Sequence, residues 1–133
     1  MYEMKDEYLT GIELIDNEHR RLFEIAEETY QLKMAEFIPD KYDQIKALFE
    51  ELKDYTAMHF QHEEEYMMSI GYKKLFTQKV QHDAFIKWLD EQDLDAVNGE
   101  YEDQDQVIDD ILKYLTDWLV THILDTDKQI PAP

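Results

Sequence analysis

Histidine, glutamate and glutamine recur in this 133-residue chain at spacings that suit a metal ion. His59 and Glu63 stand four residues apart, as do Gln78 and His82. On a helix, such pairs lie one above the other on the same face. His19 and His122 interrupt two further apolar stripes. Any one of them, taken alone, reads first as a hydrogen-bonded core histidine, and a buried Glu needs a partner. Together they supply imidazole and carboxylate, a donor set that suits Fe, Mn or Zn and gives no support to Cu(I). Asp127 follows His122 by five residues. That is about 140° around a regular helix, so Asp127 reaches the same site only if the helix ends or loosens near "ILDTD". On spacing alone, a solvent-exposed Asp127 is as good a reading. Two carboxylates among several His exceed what one tetrahedral zinc takes. A carboxylate can bridge two metals, so a dinuclear site fits better. The Glu-x-x-His pairs of carboxylate-rich di-iron bundles are absent from the chain, which makes the site histidine-rich.

The elements that must position these residues are long helices. Three Gly and three Pro are too few for a loop-rich fold. Breaks fall at "FIPDKYD", with Pro39 and Asp40 as an N-cap, at "SIGYK" with Gly71, and at "AVNGEYED" with Asn98 and Gly99. Four amphipathic helices result, at about 16–37, 41–70, 74–97 and 102–125, after an N-terminal arm of residues 1–15. The simplest fold is all-α, an antiparallel up-down-up-down four-helix bundle in a single domain over 1–133. In that topology the start of helix 1, the end of helix 2, the start of helix 3 and the end of helix 4 share one end. His19, His59, Glu63, Gln78, His82 and His122 then converge within roughly two or three turns of it.

Composition narrows the function classes. The formal charge is −19, from 13 Lys plus Arg against 32 Asp plus Glu. Such a surface repels phosphate, so nucleic acid and anionic membrane are poor partners. With no Cys, disulfides, thiolate metal sites and Cys nucleophiles are excluded. No signal peptide or membrane-crossing apolar run is legible, and a cytoplasmic protein is the expectation.

The segments "GIELIDNEHRRLF", "HFQHEEEYM", "QHDAF" and "WLVTHILDTDK" come in order on the four helices. In that combination the chain resembles the hemerythrin family, in its bacterial single-domain form. The resemblance implies a non-haem di-iron centre with an oxo or hydroxo bridge that binds O2 reversibly. By position, one iron takes His19 and His59, the other takes His82 and His122, and Glu63 and Asp127 bridge them. It also implies that Ile123 lines the O2 pocket. The departure is Gln78, which stands where the family has a further His. Three readings stay open: a water-filled position with Gln78 bonded to the water, direct ligation by Oε1, or another group filling the gap. The water-filled position is favoured, because an amide carbonyl is a poor replacement for imidazole.

Two neighbours need placing. His62 lies about 60° from His59 and about 100° from Glu63 on a helical wheel, on the flank of the site, where it packs at an interface or faces water. Tyr66 projects close to the direction of His59 and Glu63, one turn on. It either packs in the core with its hydroxyl bonded or donates to a metal-bound oxygen.

An O2-binding protein for storage, delivery or scavenging is the leading functional expectation, ahead of an enzyme. A di-iron oxidase or peroxidase is the alternative that Gln78 favours. An O2, NO or redox sensor is the third, and the protein partner it would need is unknown.

Overall fold

The computed structural model describes residues 2–35, 38, 40–92 and 101–133, with side chains from Gln104 onward in the last stretch. Four helices carry it: α1 Glu13–Met34, α2 Tyr42–Ser69, α3 Leu75–Asp90 and α4 Tyr101–Asp125. Single 3-10 turns at Asp6–Tyr8 and Asp127–Gln129 flank them, and there is no strand among the described residues. Helix α1 starts at Glu13, inside the arm expected over 1–15. Helix α3 ends at Asp90, with Glu91 as its C-cap. Of the expected continuation to 97, residues 93–97 lie outside the described residues, as do Pro39, Asn98 and Gly99. No described helix is long and apolar enough to cross a membrane.

The helices start and stop for local reasons. Asp16 Oδ1 accepts from the Thr10 N–H and hydroxyl, each at 2.8 Å, and its Oδ2 from the Gly11 N–H at 3.1 Å, which folds the arm onto α1. Gly11 has φ +84°, and a Cβ there would also meet Ala132 Cβ at 3.3 Å. At the end of α2, Gly71 takes φ +66°. Its N–H donates to Met68 O at 3.2 Å and the Tyr72 N–H to Met67 O at 2.9 Å, the bond pair of a Schellman cap. Met67 and Tyr72 then pack together with Ile12, Ile15 and Ile130. Asp40 accepts the Tyr42 N–H at 3.0 Å in the first turn of α2.

Antiparallel order follows from which ends meet. Lys41, buried just before α2, donates through Nζ to Lys33 O at the end of α1 and to Asp105 Oδ1 near the start of α4, at 3.0 and 3.1 Å. Late α2 meets early α1, early α3 and late α4 at the opposite end, through the residues described below. Between the ends lies one apolar core, with Leu22, Ile25, Leu52, Phe60, Phe85 and Leu115 at its centre.

Phe85 is fully buried, with ring centroids 4.5 Å from Trp118, 5.7 Å from Tyr114 and 5.8 Å from Phe60. Phe85→Ala is expected to cost about 3–5 kcal/mol of stability with helix content retained. A stability loss of less than about 1 kcal/mol in denaturant titration would show that this ring does not anchor the core.

Candidate metal centre

All four helices and the C-terminal turn send polar side chains into one buried point. His19 comes from α1, His59 and Glu63 from α2, Gln78 and His82 from α3, His122 from α4 and Asp127 from the 3-10 turn. All seven are buried. Helix α4 ends at Asp125, and Thr126 adopts φ −123° and ψ −58°, which swings Asp127 inward. That break removes the angular misfit which a continuous helix would impose on His122 and Asp127.

The two carboxylates each turn one oxygen to either side. Glu63 Oε2 lies 3.1 Å from His59 Nε2 and 3.7 Å from His19 Nε2. Glu63 Oε1 lies 3.0 Å from His82 Nε2 and 3.7 Å from His122 Nε2. Asp127 Oδ2 lies 3.1 Å from His19 Nε2, while Oδ1 lies 2.9 Å from His122 Nε2 and 3.1 Å from Gln78 Nε2. Two potential cation sites result, Glu63–His82–His122–Asp127 and His19–His59–Glu63, and they share Glu63.

Every imidazole presents Nε2 to the centre, and three of them have Nδ1 held from behind. Glu18 Oε1 lies 3.0 Å from His59 Nδ1, Glu64 Oε2 lies 3.0 Å from His82 Nδ1, and Gln81 Oε1 lies 2.7 Å from His122 Nδ1. An acceptor on Nδ1 fixes the tautomer that leaves Nε2 its lone pair for a metal. Phe60 stacks on His82 at 4.0 Å and Trp118 on His122 at 4.3 Å, so these rings cannot turn freely. Glu18, Glu64 and Gln81 were not legible in the sequence. They act across helices, and a cross-helix bond leaves no local spacing. The one available signal was that Glu18 and Glu64 sit next to His19 and Glu63.

The charges in the cluster act on one another at close range. Burial pushes the His59 imidazole down, but the Glu63 charge and the hydrogen bond to Glu18 outweigh it and hold it at about 10. Burial likewise opposes protonation of His122, and the Asp127 and Glu63 carboxylates beside it lift it to about 9. Burial pushes the Glu63 carboxyl up, yet the His59 charge and the close approach of His122, His19 and His59 hold it well below the usual carboxylate range. Glu63 is therefore an anion at neutral pH, although no solvent reaches it.

The fit to metal rests on atoms that protein alone leaves unsatisfied. His19 Nδ1 and Nε2, Glu63 Oε2, Gln78 Oε1 and Asp127 Oδ2 are buried without a hydrogen-bond partner among the described residues. His19 Nε2 and Asp127 Oδ2 are only 3.1 Å apart, yet out of line for a hydrogen bond. Lone pairs that are close but aimed past one another suit a cation held between them.

Of the other residues singled out in the sequence, Ile123 is fully buried in the main core. The Tyr66 hydroxyl donates to Pro131 O at 2.9 Å, so it ties down the C-terminal segment and is not directed at the centre. His62 is half-buried, and its Nδ1 lies 2.7 Å from Glu18 Oε2, which puts it one step behind His59.

Comparison with known proteins agrees with this geometry. The model of the Hemerythrin HHE cation binding domain matches residues 10–130. A bacteriohemerythrin of Clostridium acetobutylicum is 46% identical over 129 residues, which span 97% of this chain and 98% of that protein. A bacteriohemerythrin of Pseudomonas aeruginosa is 32% identical over 123 residues, 92% of this chain and 74% of that protein. One of Methylococcus capsulatus is 28% identical over 122 residues, 92% and 87% of the two chains. A four-helix bundle with a His and carboxylate cluster at one end defines the class, and the chain belongs to the hemerythrin family.

Proposed function

We propose that the chain is a non-haem di-iron protein that binds O2 for storage, delivery or scavenging. The observation that carries this is the division of Glu63 and Asp127, one oxygen of each toward either side of the centre. His19 and His59 would hold one ion and His82 and His122 the other, with both carboxylates shared. Charge supports two divalent ions. Glu63, Asp127, Glu18 and Glu64 bring four negative charges to the centre and its backing, the number that two such ions neutralise. When bound, the iron pair supplies the electrons that let O2 bind.

The chain's own residues do the rest. The Nε2 atoms and carboxylate oxygens orient the ions, and Glu18, Glu64 and Gln81 hold the imidazoles in register. Phe60, Trp118 and Ile123 keep bulk water away, which slows proton entry and loss of the bound ligand. The whole chain acts as one domain, and the cytoplasm is its proposed compartment.

A second reading, an oxidase or peroxidase, is favoured by Gln78. With an amide there, the two sides hold two His each, so neither ion is closed off by a third imidazole. One optical experiment separates the readings. The protein is loaded with Fe2+ without oxygen, exposed to O2, and returned to an oxygen-free atmosphere. A visible band that forms with O2 and disappears on its removal is expected. A one-way change to a diferric spectrum would replace the carrier reading with the enzyme reading.

A further inference from the structure

Gln78 is fully buried on α3, one turn before His82. One neighbour sets the orientation of its carboxamide. Asp127 Oδ1 lies 3.1 Å from Nε2. A carboxylate only accepts, so the amide turns its N–H toward Asp127; the flipped amide would set two acceptors against each other. The planar amide then fixes where Oε1 goes, and Oε1 is buried without a hydrogen-bond partner among the described residues. An unpaired buried amide oxygen costs free energy unless something accepts its lone pairs. The same Asp127 Oδ1 lies 2.9 Å from His122 Nε2, so the amide stands on the His82 and His122 side of the centre.

We propose that Gln78 Oε1 is a ligand to the ion held by His82 and His122, while its amide N–H braces the shared Asp127. The inference rests on the dinuclear reading above. On that side the ion is bound by two imidazoles, one neutral amide oxygen and the shared carboxylates. A neutral oxygen is a harder donor than imidazole, so this side favours Mn2+ or Fe2+ over Zn2+ more than an all-imidazole set would.

Cobalt titration of the metal-free full chain tests this. Co2+ reports stoichiometry, and its visible bands report the ligands of each ion. Gln78→Ala removes both ends of the amide, whereas Gln78→Glu keeps an oxygen and removes the N–H donor. Wild type is expected to take two Co2+. Gln78→Ala should weaken one of them by more than about 10-fold. Gln78→Glu should keep both, with the bands of one ion shifted. Two tight ions with unshifted bands in Gln78→Ala would overturn the proposal and return Gln78 to a position beyond a bound water. Equal loss in Gln78→Glu and Gln78→Ala would also overturn it, by assigning Gln78 to Asp127 alone. Circular dichroism of the metal-free variants checks the fold. If Gln78→Ala does not fold, Gln78→Glu decides, and a lost ion or unshifted bands there count against ligation. Wild type that takes fewer than two Co2+ would defeat the dinuclear reading itself, a failure distinct from that of Gln78.

Discussion

Glu63→Gln is expected to leave a folded bundle that holds neither ion tightly. Glu63 belongs to both potential sites, and its two oxygens face different His pairs. An amide keeps the volume but presents only one acceptor oxygen and no charge, so it cannot bridge two cations. Affinity at both positions should fall by more than about 100-fold, beyond the effect of removing a group that only supports a ligand. Metal content per chain after desalting measures it, and two retained ions would refute the bridging role. The metal-free variant should also lose stability. Breaking a buried ion pair costs about 3–5 kcal/mol. The loss here should be nearer the lower figure, because His59 and His122 can shed their protons once the anion is gone.

Metal loading should produce the largest change in thermal stability. The cluster is preformed in the folded chain and absent from the unfolded one, so bound ions stabilise only the native state. At free ion about 1,000-fold above Kd, each site contributes about 4 kcal/mol. For a domain of this size two such sites raise Tm by more than about 15 °C. Calorimetry with excess Fe2+ or Mn2+ against a chelator-treated sample measures the shift. A difference of only a few degrees would mean that the imidazoles and carboxylates neutralise one another well enough without an ion.

Much of this was legible before the fold was known. His19, His59, Glu63, His82 and His122 were visible because each breaks an apolar stripe at helical spacing, and antiparallel order alone brings them to one end. Asp127 was ambiguous, since five residues from His122 is the wrong angle on a continuous helix. The end of α4 at Asp125 settled where it points. Tyr66 had the right direction on the wheel, but its hydroxyl reaches beyond its own helix to Pro131. A helical wheel gives direction around an axis and says nothing of what lies at the tip of a long side chain.

Residue type, helical period and charge by themselves determined the all-α bundle, the donor set and the exclusion of thiolate chemistry. These follow from local periodicity and composition, which the chain carries without folding. The tertiary structure alone decided which carboxylate oxygen faces which His pair, which residues back the imidazoles, and which way the Gln78 amide turns. Those depend on atoms from different helices meeting within about 3 Å, the range in which a hydrogen bond or a lone pair selects one orientation over another.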